Sequence, residues 1–135
     1  MKKLFFAVLM LLVLAACSNS SVDVLGEWKL VSYGDAANPT PSLADVDTSI
    51  EFDPNGQMTG NVGCNGFGGG YEIKGDKITF NGIMSTMMYC DETSAQEQGV
   101  LSMFADNAQL KIQMNGDTLT IASADGASVV NLARK

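Results

Sequence analysis

Histidine is absent from the 135 residues, and basic side chains are scarce, eight against 15 acids. Without an imidazole the usual Ser and Cys triads lose their base, so an ordinary hydrolase is disfavoured and no catalytic residue is assigned. A zinc shell is disfavoured for the same reason, and no metal and no cofactor are expected. The deficit of basic residues gives a formal net charge of −7 at pH 7. Nucleic acid would be repelled by it, and no Lys/Arg cluster offers relief. Proline is sparse too, three in all, and Pro39 and Pro41 fall together in one expected loop. No apolar run reaches the roughly 20 residues that a membrane-spanning helix needs.

A shorter apolar run is present at the N-terminus. Lys2 and Lys3 precede an unbroken apolar stretch over 4–14, which leads through Ala15 and Ala16 to Cys17. This is the pattern of a signal peptide ending in a lipobox, with small residues for the peptidase and a thiol to accept a diacylglyceryl group. The competing reading is a plain signal peptide with a cysteine near its end. On the lipobox reading residues 1–16 are removed, Cys17 is the lipid-bearing first residue, 17–23 form a polar tether, and 24–135 form one domain. Each buried methylene contributes roughly 0.8 kcal/mol, so two or three acyl chains anchor firmly. Loss of Lys2 and Lys3 leaves six basic side chains against 15 acids, a balance of −9. Attachment to the membrane would therefore rest on the lipid and not on electrostatic contact with anionic headgroups.

With Cys17 acylated, Cys64 and Cys90 remain as an even pair in a compartment that permits oxidation, and a disulfide is expected between them. Two free buried thiols are the alternative. Closing a loop of about 26 residues stabilises by about 3.5 kcal/mol in the chain-entropy model.

Strand-like segments recur over 24–34, 48–53, 57–62, 70–74, 77–80, 109–114, 118–122 and 128–132. Apolar residues alternate at Ile50 and Phe52, Ile78 and Phe80, Leu110, Ile112 and Met114, and Leu119 and Ile121. Between them stand Asp53-Pro54-Asn55-Gly56, Gly75-Asp76, Asn115-Gly116-Asp117 and Asp125-Gly126, residues that accept positive φ in tight hairpins. The segment 93–106 breaks the rhythm. Val100, Leu101 and Phe104 fall at helical spacing there, and Ser94 with Glu97 has the form of a capping box, with Asp91 or Thr93 as equally good caps. The fold class is thus mainly β, an antiparallel curled sheet or small barrel-like meander with one packed α-helix over about 93–106.

Candidate chemistry is thin. Asp91 and Glu92 could act as acid and base, but adjacent acids before a helix more often complement its positive end. The acidic turns at 53–56 and 115–117 lack the spacing of an EF-hand loop. The glycine-rich run over 63–71 is not followed by Gly-Lys-Ser/Thr, so a phosphate cradle is a weak reading. Unusual backbone angles and close approach around an anchored turn, with Phe67 and Tyr71 packed nearby, explain it better. Trp28 alternates with Leu30 and reads as a core plug before a ligand stacker. Met84, Met87 and Met88, with Tyr89, cluster before Cys90; thioethers there can fill a core, line an adaptable groove or ligate soft copper.

These residues together resemble the META domain family, which includes HslJ-like heat-shock lipoproteins. The landmarks are Gly26-x-Trp28-x-Leu30, Gly60 followed by Gly63-Cys64-Asn65, then Phe67, Gly69 and Tyr71, Ser85-Thr86 leading to Cys90, Glu97 and Leu119. They cover nearly all of 25–132. The family usually carries Arg directly after the Thr and Ala before the Cys, where this chain has Met87 and Tyr89. The resemblance implies a compact barrel-like or curled-sheet domain with one helix, a disulfide at the paired cysteines, and no enzymatic activity. It also implies a role in envelope stress, heat or antibiotic tolerance.

The expected function is a non-catalytic envelope lipoprotein that binds a protein or peptide partner through Met84, Met87, Met88 and Tyr89 and acts as a monomer. The alternative is a carrier of a lipid or small hydrophobic ligand in a barrel mouth or Met-lined groove. Ser18 after the lipidated cysteine, in place of Asp, points to the outer membrane, facing the periplasm, if the source is diderm.

Overall fold

A computed structural model describes residues 21–135; Cys17, the expected signal segment and most of the tether lie outside them. The strands are β1 (Gly26–Asp35), β2 (Thr40–Pro41), β3 (Ser49–Phe52), β4 (Gln57–Asn61), β5 (Gly66–Lys74) and β6 (Lys77–Ser85), then β7 (Gln109–Asn115), β8 (Thr118–Ala122) and β9 (Ser128–Arg134). Helix α1 (Asp91–Leu101) and a 3-10 turn (Ser102–Phe104) separate β6 from β7. Neighbouring strands pair antiparallel in the order β2-β1-β3-β4-β5-β6-β7-β8-β9, and β1 also pairs β9, which curls the sheet into a ring. The alternation explains the curl's inner face. Ile50, Phe52, Leu110, Ile112, Leu119 and Ile121 are buried while the residues between them are more exposed, and Val130 and Leu132 face the same interior from β9. Gly75 and Gly116, at φ 64° and 60°, close the β5–β6 and β7–β8 hairpins, a region that an L side chain enters only with strain.

Trp28, Phe52, Phe80, Phe104, Ile50 and Met58 are fully buried and fill the ring's interior. Trp28 donates its indole N–H to the Val24 carbonyl at 2.8 Å, and the Arg134 guanidinium lies 4.2 Å over its ring. The core-plug reading of Trp28 therefore holds.

Several boundaries differ from expectation. The helix starts at Asp91, not Thr93, and gives way to the 3-10 turn after Leu101. Its N-cap is Cys90, with no side-chain cap, and the Ser94 hydroxyl instead donates to the Asp91 carbonyl at 3.2 Å. The capping box fails because Ser94 lies inside the helix, three residues past its start, and Glu97 is engaged elsewhere. Gly99, costly for an isolated helix, is required here: a Cβ would stand 2.5 to 2.6 Å from the Tyr33 ring. The Pro39–Pro41 loop contains the two-residue strand β2, which pairs with Ser32 and Tyr33. The glycine-rich run also behaves differently: none of Gly63, Gly66, Gly68, Gly69 and Gly70 has positive φ. Their role is close approach. A Cβ on Gly69 would lie 2.7 Å from the Ile83 side chain and 2.8 Å from the Gly82 carbonyl.

Because adjacent strands alternate in direction, the ring has two distinct ends. The start of β1 and the turns at 53–56, 75–76 and 116–117 lie at one end. The 62–65 turn, the 86–90 loop and α1 lie at the other. Gln96, fully buried, ties α1 to that end by donating to the Val62 carbonyl at 2.6 Å and accepting from the Leu43 N–H at 2.8 Å.

Candidate functional site

The site is assembled at the helical end of the ring from three pieces distant in sequence: the 63–65 turn, the 86–90 loop and the first turns of α1. Gly63 admits the helix to the turn, since a Cβ there would stand 2.6 Å from Cγ of Glu97 and 2.8 Å from Cβ of Thr93. Glu97, only 7% exposed, turns its carboxylate onto that turn. Its two oxygens accept four hydrogen bonds: from the Cys64 N–H, the Asn65 N–H at 3.2 Å, the Thr93 hydroxyl at 3.0 Å and the Asn65 side-chain amide at 2.6 Å. Among the described residues no Lys or Arg pairs with it. Burial alone would push its pKa up, yet the bonds from Cys64, Asn65 and Thr93 outweigh that and hold it below the ordinary glutamate value of 4.5.

Asn65 carries the connection onward to the loop. Its amide also donates to the Met88 carbonyl at 2.9 Å, while its oxygen accepts from the Thr86 hydroxyl at 2.9 Å and the Met88 N–H at 2.8 Å. The Thr86 N–H donates to the Gly66 carbonyl at 3.0 Å. Cys64 and Cys90 are joined, with Cα atoms 6.3 Å apart, so the turn and the foot of the helix are linked covalently beside the hydrogen bonds. Gly63, Asn65 and Thr86 therefore belong to one clamp. No buried side-chain nitrogen or oxygen among the described residues lacks a partner, so the clamp is complete without a ligand.

The other landmark residues serve elsewhere. Gly26, at φ 109°, opens β1 beneath Arg134, and Gly69 lies in β5. Tyr71 packs edge-on against Phe52 at 5.1 Å and donates its hydroxyl to the Asp53 carbonyl at 2.6 Å; burial, with Asp53 adding to it, raises its pKa. These four positions, Trp28 included, shape the interior and the opposite end of the ring.

What the clamp holds outward is apolar. Met84, Met87, Met88 and Tyr89 are 77%, 95%, 59% and 83% exposed, so the core-filling reading of these methionines is excluded. An open groove of about 390 Å3 runs between the loop and α1, lined in part by Met87, Met88, Tyr89, Gln98 and Leu101. Met84 borders a separate shallow depression with Phe67 and Gly68. Asp91 and Glu92 stand exposed at the start of α1, where the Asp91 carboxylate accepts the Tyr89 hydroxyl at 3.0 Å.

Glu97 and Gln96 are the site's least legible members. Glu97 had a sequence signal, three residues after Ser94, that pointed to the wrong partner. Gln96 had none, because a polar residue on a helix is ordinarily solvated.

A single antiparallel sheet curled into a ring, with one helix at one end, defines a small ring-shaped β domain. The chain belongs to the META domain family, which matches residues 22–135. No curated protein sequence matches it. Solved structures share the fold at low identity. A protein from Burkholderia xenovorans, determined by NMR, is 18% identical with a TM-score of 0.62, covering 81% of each chain. A duf4847 family protein from Bacteroides vulgatus is 16% identical with a TM-score of 0.61, covering 82% of this chain and 92% of the other. A lipocalin-like protein from Bacteroides uniformis is 15% identical with a TM-score of 0.56, covering 84% and 100%.

Proposed function

We propose that the protein is a lipid-anchored envelope factor that acts by binding, without chemistry of its own, and that Met84, Met87, Met88 and Tyr89 dock a protein or peptide partner. The observation that carries this reading is the pairing of apolar exposure with a fixed backbone. A loop whose Thr86 and Met88 backbone is held at both faces loses little conformational entropy on binding, while flexible thioethers adapt to the partner. Residues 84–90, the end of β6 and the loop after it, carry no charge and are followed by the exposed acids Asp91 and Glu92. That arrangement suits an apolar segment flanked by Lys or Arg, in keeping with a mature balance of −9.

Acylation at Cys17 gives the loop a direction. The tether to Val24 spans at most about 25 Å at roughly 3.5 Å per residue and enters the ring at the end carrying the hairpin turns. The loop at the opposite end then faces away from the anchoring membrane, toward a partner across the periplasm if the source is diderm. A stress-protective role under heat or antibiotics accords with the family, and a monomer suffices for the site. The carrier reading has less support. The ring interior is filled by Trp28, Phe52, Phe80 and Phe104, which leaves a hydrophobic ligand the open groove beside Met87.

The test is comparative crosslinking in intact envelopes, wild type against Met84→Ser/Met87→Ser/Met88→Ser. The variant is expected to lose about nine tenths of specific adducts while keeping its melting temperature, because exposed side chains contribute little to the fold. Equal adducts from both proteins would reject the docking surface.

A further inference from the structure

Sulfur is distributed unevenly over the described residues. Cys64 and Cys90 are joined, Met58 is fully buried, Met103 is 8% exposed and Met114 is half-buried against the core, whereas Met84, Met87 and Met88 stand in solvent. Thioether oxidation follows exposure, so a two-electron oxidant meets those three sulfurs first. The clamp beneath them uses none of these sulfurs. Asn65 grips the backbone N–H and carbonyl of Met88 and the Thr86 hydroxyl, and Glu97 grips the turn below. The side chains can change chemistry while the backbone that presents them stays in place.

We infer that Met84, Met87 and Met88 form a reversible sulfoxidation site that switches the docking surface from apolar to polar without unfolding the domain. Hydrogen peroxide is an oxidant of the required class. The thioether sulfur donates an electron pair to one peroxide oxygen, the O–O bond breaks, and the departing hydroxide takes the proton of the transferred oxygen, so that a sulfoxide S=O forms and water leaves. Sulfur is oxidised by two electrons and the peroxide is reduced by two. Return to the thioether needs a dithiol-dependent methionine sulfoxide reductase, whose dithiol gives up two electrons and two protons to become a disulfide as the oxygen leaves as water, and the exposure of the three side chains gives such an enzyme access. A sulfoxide dipole in place of each thioether disfavours burial of the same surface in a partner. This consequence rests on the docking reading; the modification site itself does not.

The experiment treats the protein, extracted from native membranes in detergent, with graded hydrogen peroxide. Three readouts are taken: site-resolved peptide mass spectrometry, the melting temperature, and retention on a phenyl-derivatised resin. Met84, Met87 and Met88 are expected to gain oxygen at least about tenfold faster than Met58 and Met103. The melting temperature stays unchanged, and retention falls to that of Met84→Gln/Met87→Gln/Met88→Gln. Oxidation of Met58 at the loop's rate, or a melting transition lost in step with loop oxidation, would overturn the site. Selective oxidation with retention unchanged, and unchanged also in the triple Gln variant, would uphold the modification site. It would overturn the apolar surface and with it the switch.

Discussion

Replacing Glu97 by Ala is expected to lower the unfolding free energy by about 4 kcal/mol, a large share of the 5 to 15 kcal/mol typical of a domain. The loss is large because one carboxylate serves four donors. Its removal strands the Cys64 and Asn65 N–H groups, the Thr93 hydroxyl and the Asn65 amide in a partly dry pocket. Each such group costs about 1 to 3 kcal/mol, reduced where water enters. Glu97→Gln keeps the shape but turns an N–H2 toward donors, and is expected to cost about 2 kcal/mol. The two variants also separate in pH. Glu97 has a lowered pKa in the folded state, so its stabilisation is fully present above the ordinary glutamate value of 4.5 and is lost as pH falls through the lower folded value. Urea midpoints measured across acid pH should fall steeply in the wild type and less so in Glu97→Gln. Equal slopes would remove Glu97 from the acid response, leaving that response to exposed carboxylates such as Asp125, also lowered by its hydrogen bonds from Ser123 and Ala127.

The second large effect is expected from Cys64→Ala/Cys90→Ala. Removing a cross-link between residues 26 apart releases denatured-state entropy equivalent to about 3.5 kcal/mol in the chain-entropy model. Chemical denaturation of the double variant against the oxidised wild type measures it. A loss under about 1 kcal/mol would mean that Glu97 and Asn65 hold the turn to the helix by themselves, with the cross-link redundant.

Much of the ring was legible because strand alternation writes itself in side chains. Ile50 and Phe52, Leu110 and Ile112, and Leu119 and Ile121 all face inward as their spacing required. Legibility failed where there were no side chains to alternate. β5 begins at Gly66, four residues before the expected start, because the glycines there give no period to read. β6 continues five residues past Phe80, and there a register shift opposite Gly68–Gly70, with Gly82 at φ 60°, breaks the alternation. The glycines themselves were half understood, since close packing against Ile83, Asn81 and Glu97 explains them and backbone angle does not. The site divided in a similar way. The cysteine pair and the apolar cluster before Cys90 were visible as composition. The engagement of Glu97 by a turn more than 30 residues away was not, because a long-range hydrogen bond leaves no local pattern. A strong local alternative, the capping box with Ser94, drew the eye instead.

Backbone amide hydrogen exchange of the 86–88 loop tests most directly whether this surface is held in place for a partner. The Met88 amide, bonded to the Asn65 oxygen at 2.8 Å, and the Thr86 amide, bonded to the Gly66 carbonyl at 3.0 Å, should exchange slowly in the wild type. In Asn65→Ala the Met88 amide should approach the free rate while ring amides such as Ile121 keep their protection. A Met88 amide exchanging at the free rate in the wild type would contradict the clamp, and with it the claim that the loop is presented ready-made.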